Sequence, residues 1–217
     1  MDIYQIMRAA ADPQKAAPMK KYMRDKFPFF GLPTPVRRRV CQDFLKAKSA
    51  FLSVDWGFVN EAWGLDEREC QYLAIDYLKM VKGRLTPKDL PEIEKIVLIK
   101  PWWDTIDDLS SVVGDIAYRH PAETRKTILA WSEHSSFWLR RLAIIHQLAR
   151  QETTDRDLLE RVILNNLGQT EFFINKAIGW SLRALGKTAP DWVRSFVERH
   201  GPKLAPLSLR EATKRLN

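Results

Sequence analysis

The sequence predicts an all-α solenoid of stacked antiparallel helix pairs. Three observations predict it. A polar or aromatic position recurs every 34 or 35 residues, apolar positions fall three and four apart along the chain, and no stretch shows sustained two-residue alternation between turn signals. The recurring segments are Tyr72-Leu73-Ala74-Ile75, Asp107-Asp108-Leu109, Arg141-Leu142-Ala143-Ile144, Asn175-Lys176-Ala177-Ile178 and Arg210-Glu211-Ala212, whose first residues are 35, 34, 34 and 35 apart. A constant step of this size belongs to helical repeats in which each unit covers the apolar face of the next. Equivalent positions then align along one wall, so Tyr72, Asp107, Arg141, Asn175 and Arg210 are expected as a polar row.

The first fifty residues depart from the repeat and read as three helices near 2–12, 14–25 and 35–47. Thr34-Pro35 signals the start of the third, with Thr34 as cap and proline in the first turn. Inner helices are expected near 66–82, 102–118, 137–150, 171–185 and 206–216. Outer helices are expected near 87–99, 121–132, 155–167 and 190–200. Thr86-Pro87-Lys88-Asp89 opens an outer helix with a cap, a proline and an acid at the positive end of the dipole. His120-Pro121-Ala122-Glu123 and Ala189-Pro190-Asp191 repeat that logic, and Thr154-Asp155 does so without proline. Leu158, Leu159, Val162, Ile163 and Leu167 form one buried face; Val193, Phe196 and Val197 form part of another. No low-complexity linker divides the chain, so one domain over 1–217 is expected, with a specialised end at 1–50 and tandem repeats over 51–217.

With 217 residues the chain is long enough for a substantial core. It carries 35 basic and 27 acidic residues, a formal charge of +8, which favours a polyanionic partner, nucleic acid first. Its two cysteines, Cys41 and Cys70, form no close pair, so neither a disulfide framework nor a zinc ligand set is expected, in keeping with a reducing cytosol. Met1-Asp2-Ile3-Tyr4 has no basic stretch leading into an apolar run, so no signal peptide is expected, and no apolar run approaches a membrane span.

Two segments carry candidate chemistry. In Lys100-Pro101-Trp102-Trp103-Asp104-Thr105-Ile106-Asp107, Trp103 and Asp107 are four apart and share a helix face. Arg141 holds the same register one repeat on, and Trp180 lies about one turn beyond Asn175. Two indoles, a carboxylate and a guanidinium are thus expected on one wall. Taken singly, tryptophans at this spacing usually belong to the core, and Asp–Arg pairs are usually structural; the combination in one register of a basic chain is what points to a site. The second segment runs from Tyr22-Met23-Arg24 through Phe27-Pro28-Phe29-Phe30-Gly31-Leu32 to Thr34-Pro35-Val36-Arg37-Arg38-Arg39. A hydroxyl, free backbone N–H groups and nearby arginines are expected to seat a phosphate there.

Six ordered motifs across essentially the whole length resemble the AlkD family of DNA alkylation-repair glycosylases, built from HEAT-like repeats. They are Tyr22-Met23-Arg24; Phe30-Gly31-Leu32-x-Thr34-Pro35-x-Arg37-Arg38; Trp102-Trp103-Asp104-x-x-Asp107; Trp138-Leu139-x-Arg141-x-Ala143-Ile144; Phe172-Phe173-Ile174-x-Lys176-Ala177-Ile178-Gly179-Trp180; and Leu207-Ser208-x-Arg210-Glu211-Ala212. The resemblance implies a right-handed solenoid with a concave basic groove. It also implies a bacterial-type monofunctional glycosylase that removes N3- or N7-alkylated purines from duplex DNA and leaves an abasic site. Trp103, Asp107 and Arg141 match its catalytic cleft, Trp180 the second aromatic wall, and Tyr22, Arg24, Thr34 and Arg38 its DNA-contacting positions; Arg37, Arg183 and Arg210 complete the DNA-binding candidates. Asp107 is expected to stabilise positive charge on the sugar and orient water, and Arg141 to bind the adjoining phosphate. No metal or other cofactor, a monomer, no membrane and a cytoplasmic location are expected. The alternatives are a non-catalytic repeat protein that binds damaged or branched DNA, and a protein-interaction scaffold.

Overall fold

Proline and acidic caps set most of the helix starts. In the computed structural model, which describes residues 2–214 and Leu216, thirteen α-helices and short 3₁₀ turns make up the regular structure, with no strand among the described residues. Backbone contacts gather the chain into two units, one running to Leu85 and one starting at Thr86.

The first unit contains α1 (Ile3–Ala9), α2 (Pro13–Tyr22), α3 (Thr34–Ser49), α4 (Trp56–Gly64) and α5 (Arg68–Val81). Asp2 and Asp12 cap α1 and α2, accepting from the amides of Tyr4 and Gln14. Thr34, expected as a cap, is instead the first residue of α3, and Pro33 holds the cap position without any side-chain bond. Helix α4 was not among the expected elements. Asp55 caps it, accepting from the Phe58 amide at 2.8 Å, and Phe58, Val59, Ala62 and Trp63 are its buried face.

The loop between α2 and α3 is built around a buried carboxylate. Glu69, wholly buried at the start of α5, accepts from the amides of Phe30 (3.1 Å), Gly31 (2.9 Å) and Leu32 (2.9 Å). Gly31 is left-handed at φ +88°, and a Cβ there would lie 2.0 Å from the Asp12 carbonyl oxygen, so only glycine fits. The Arg68 guanidinium lies over the Phe27 ring at 3.8 Å. Arg37 reaches from α3 to Asp76 on α5, its Nη2 at 3.0 Å from the carboxylate.

The second unit contains α6 (Leu90–Leu98), α7 (Trp103–Arg119), α8 (Pro121–Ser132), α9 (Phe137–Ile145), α10 (Arg156–Leu164), α11 (Phe172–Leu185), α12 (Pro190–His200) and α13 (Pro206–Thr213). Helix α7 packs on α9, α9 on α11 and α11 on α13, forming one row; α8 packs on both α9 and α10 in the other. These are the expected inner and outer helices, with two differences. Helix α9 ends at Ile145, not near 150. Beyond it the Gln147 side chain turns to the α10 cap, its Oε1 accepting from the Asp155 amide at 2.8 Å, and Arg150 donates to the Gly114 carbonyl at 3.0 Å. Those bonds replace another helical turn. The expected end of α13 near 216 includes Arg215, which lies outside the described residues.

Two glycines let the inner helices touch. A Cβ on Gly114 would lie 2.3 Å from the His146 carbonyl oxygen, and one on Gly179 would lie 2.5 Å from Glu211 Cβ and 2.9 Å from the Ser208 carbonyl oxygen. At 0% exposure Leu109, Val113, Leu142 and Ile145 show the dry seam this approach creates. Alanine favours a helix over glycine by about 0.8–1 kcal/mol, whereas overpacking a close contact costs about 1–3 kcal/mol. Against a backbone oxygen the clash wins, so Gly114→Ala is expected to destabilise the fold by roughly 1–2 kcal/mol. A lowered urea midpoint with unchanged slope is the expected reading; a midpoint equal to wild type would show that α7 and α9 part freely.

Candidate active site

Helix α7 carries Trp103 and Asp107 on one face, and the two side chains are partly exposed while Thr105 and Ile106 between them, and Leu109 just beyond, are fully buried. The entry to α7 is set by Lys100, left-handed at φ +49° and followed by Pro101, a restricted hinge that aims the helix. Asp107 faces α9. Arg141 donates from Nε to Asp107 Oδ1 at 2.8 Å and from Nη2 to Oδ2 at 2.9 Å, a parallel two-point pair. Its remaining Nη1 donates to the Phe173 carbonyl at 2.6 Å, and its guanidinium sits 5.8 Å from the Phe173 ring centre. Asp107 keeps 21% of its side chain exposed and Arg141 only 4%.

Each nitrogen of Arg141, expected at a phosphate, has a protein acceptor here, and two of the three hold the Asp107 carboxylate. Burial pushes the Asp107 carboxyl above its ordinary value, Arg141 acts against that push, and Asp104 and Asp108 add to it. The guanidinium therefore favours the ionised form of a carboxylate that its surroundings would rather protonate.

Aromatic rings lock the starts of the three helices. Trp102 packs edge-on against Trp138 at 5.7 Å and Phe173 at 5.2 Å, Trp138 and Phe173 are 4.9 Å apart, and Phe137 lies 4.5 Å from Trp138. Such ring pairs contribute about 0.5–1.5 kcal/mol each beyond burial. The sequence reading gave Trp102, Trp138 and Phe173 no role. Their signal was present all the same: Trp102, Phe137 and Phe172 are 35 apart, as are Trp103, Trp138 and Phe173.

Trp180 is partly exposed on α11 and lines an open cleft of about 440 Å³ with Arg183, Ala184, Lys187 and Lys214. Beside it, Glu211 of α13 is 3% exposed and takes Lys176 at 3.0 Å, Lys214 at 2.7 Å and Arg183. Lys214 first, then Lys176 and Arg183, hold the Glu211 carboxyl down at about 2 against the opposing effect of burial. The expected polar row is therefore broken over its last two positions. Asn175 is buried and donates to the Gln169 carbonyl at 2.9 Å, and in the last repeat Arg210 is exposed while Glu211 turns inward.

In the first unit Tyr22 is 70% exposed, and Arg24, Thr34 and Arg38 are exposed as well. Arg24 and Asp25 are both left-handed, at φ +55° and +58°, which turns the chain sharply at the end of α2. Arg37 is the exception among the basic candidates: 4% exposed and bonded to Asp76, it is a strut between α3 and α5. In the loop that leads into α3 the amides of residues 30–32 are engaged by Glu69. Among the described residues no group of three His, Cys, Asp or Glu side chains is arranged to hold a metal ion, and no helix is long and apolar enough to cross a membrane.

A profile of the DNA alkylation repair enzyme family matches residues 3–216. A solved structure of a predicted DNA alkylation repair enzyme from Enterococcus faecalis is 34% identical, with a TM-score of 0.86 over 94% of this chain and 95% of that one. No curated protein matches the chain.

Removing one member of a buried ion pair strands the other. Arg141→Ala leaves the Asp107 carboxylate and the Phe173 carbonyl without their donor, and for fully buried pairs such a loss costs about 3–5 kcal/mol. Because Asp107 retains some solvent contact, roughly 2–3 kcal/mol is expected. Chemical denaturation measures it, and a loss below about 0.5 kcal/mol would show that the pair holds nothing in place.

Proposed function

The chain belongs to the DNA alkylation repair enzyme family, and from that premise we propose that it is a monofunctional glycosylase hydrolysing the N-glycosidic bond of N3- or N7-alkylated purines in duplex DNA. Membership implies an enzyme of DNA repair with DNA as its substrate. The observation that carries the finer reading is the Asp107 carboxylate: partly exposed, held at both oxygens by Arg141, and on the same face of α7 as the Trp103 indole.

Alkylation at N3 or N7 leaves the purine positively charged. When the C1′–N bond breaks, its electron pair moves to the purine and neutralises it, so the leaving group needs no proton. Positive charge builds on the sugar instead. A carboxylate about 4 Å from that charge is worth about 4 kcal/mol at an effective dielectric constant near 20. Because the charge grows only as the bond breaks, this favours the transition state over bound substrate. Water then adds to C1′ and releases a proton, with Asp107 placed to accept it. The indole of Trp103 offers the cation a π face worth about 0.5–2 kcal/mol. Arg141 opposes the electrostatic effect in part, but without it the carboxylate would protonate more readily. Trp180 serves as the second aromatic wall, and Tyr22, Arg24, Thr34, Arg38, Arg183 and Arg210 contact the DNA backbone. The enzyme works as a cytoplasmic monomer that associates with the nucleoid when bound to DNA.

Incubation with duplex DNA containing N7-methylguanine or N3-methyladenine tests the reading. Free alkylpurine and an abasic site are expected from the wild type. Asp107→Asn should lower release about 10²–10³-fold, in line with roughly 3–4 kcal/mol of lost transition-state stabilisation. Duplex binding by that variant should be as tight or tighter, since one negative charge is gone. Full excision by Asp107→Asn would remove the carboxylate from the mechanism, and binding with no excision by the wild type would leave a DNA-binding protein only.

The raised Asp107 pKa fixes the pH dependence. The working form is ionised, so excision should fall as pH drops through a value above the ordinary aspartate pKa of about 3.9. Arg141→Gln removes the group that opposes protonation and should move this acid limb toward neutrality. A limb at the same pH in both proteins would contradict the role given to Arg141.

A further inference from the structure

The cleft beside Trp180 holds more positive charge than an aromatic wall needs. Lys176, Trp180 and Arg183 are three or four residues apart and lie on one face of α11, Lys187 stands in the turn just after that helix, and Lys214, at the C-terminal end of α13, lines the cleft as well. Three cations surround one carboxylate there. Glu211, 3% exposed, gathers Lys176, Lys214 and Arg183 within bonding distance, while Lys187 stays exposed at the rim. Without a central anion three neighbouring cations would repel one another into solvent. With it they converge, already ordered, and together with Lys187 the cluster still carries a surplus of three positive charges. Ordering a long side chain on binding costs about 0.5–1.5 kcal/mol, so cations held in advance favour an incoming anion.

We propose that this Glu211-centred cleft is a seat for one phosphodiester of a nucleic-acid strand, with Arg183, Lys187 and Lys214 as its ligands and Glu211 as the positioning residue. The chemistry of the lining selects the ligand. Three cations, Arg183, Lys187 and Lys214, with one flat indole suit a phosphate next to a sugar or base face, not an apolar molecule. The cleft is open along its length, so it would bury little of a free nucleotide; a strand lying across it is held at both ends by the rest of its chain. From Lys176 to Arg183 helix α11 rises about 10 Å, enough to run beside one nucleotide step. The inference rests on DNA being the substrate, as proposed above, and adds Lys187, Lys214 and Glu211 to the residues that hold it.

The test uses the full chain and an unmodified duplex, with binding measured by fluorescence anisotropy across a salt series. One lost phosphate contact lowers the slope of log K against log[salt] by about 0.9. The Lys187→Ala/Lys214→Ala double variant should lose about 0.9, because both cations serve the same phosphate. Lys187→Ala alone, outside the Glu211 cluster and therefore benign to folding, should weaken binding, and Lys187→Arg should restore it. Lys126→Ala, on the exposed side of α8, should match wild type. Inorganic phosphate at matched ionic strength is the second arm. Saturable phosphate binding with an unchanged DNA slope would assign the cleft to a free anion and overturn the proposal. So would a double-variant slope equal to wild type, or no duplex binding by the wild type at low salt. The two readings fail separately. Duplex binding without base release sinks the glycosylase and leaves the seat standing, whereas base release with an unchanged slope sinks the seat alone.

Discussion

Side chains that reach one repeat onward hold the second unit together. Arg141 of α9 binds Asp107 of α7, Ser181 of α11 donates to the Ile144 carbonyl of α9 at 3.1 Å, and Ser208 of α13 donates to the Asn175 carbonyl of α11 at 2.7 Å. Each bond satisfies a polar group that the packing of helix on helix would otherwise strand, which matters more than the modest net gain of the bond itself. The same step places the rings of Trp102, Trp138 and Phe173 against one another. The site is therefore not grafted onto the scaffold. The contact that joins two repeats is also the contact that fixes the carboxylate.

That coupling explains a tension at Asp107. Desolvation favours the protonated acid, and the proposed chemistry needs the anion. A fully exposed aspartate would be ionised without help but screened by water, with weak influence on a nearby cation. Partial burial strengthens the field and endangers the charge in the same stroke. Arg141 resolves it by supplying two hydrogen bonds that only the anion accepts well, while anchoring its own third nitrogen on Phe173.

Much of this was legible in the sequence, and the exceptions share a cause. The repeat step fixed which helices are neighbours, and with it the pairing of Asp107 with Arg141, because equivalent positions of stacked units must meet. Helix α4 was missed because its signal is one cap and five apolar residues in nine, too short to show a period. Arg37 reads as one of three arginines at a phosphate seat; that it alone turns inward depends on Asp76, 39 residues away. In the last repeat the polar row slips by one, from Arg210 to Glu211, because Gly179 lets α13 approach until Glu211 lies directly against α11. The 34-to-35-residue step cannot resolve a shift of one residue. Apart from α4, what sequence could not show was a partner far along the chain, not a local preference.

The loop around Gly31 has a consequence for how the protein meets DNA under the proposed reading. Its three amides, which might have gripped a phosphate rigidly, are closed on Glu69. The first unit is left with exposed cations and hydroxyls on its surface, Arg24, Arg38, Tyr22 and Thr34 among them, groups that grip a duplex without regard to base order. Contacts of that kind let a protein slide and hop along any stretch of genome. By filling its own anion nest, the chain gives up a fixed anchor and keeps the freedom to patrol, so that arrest at a lesion is left to the charge of the damaged base.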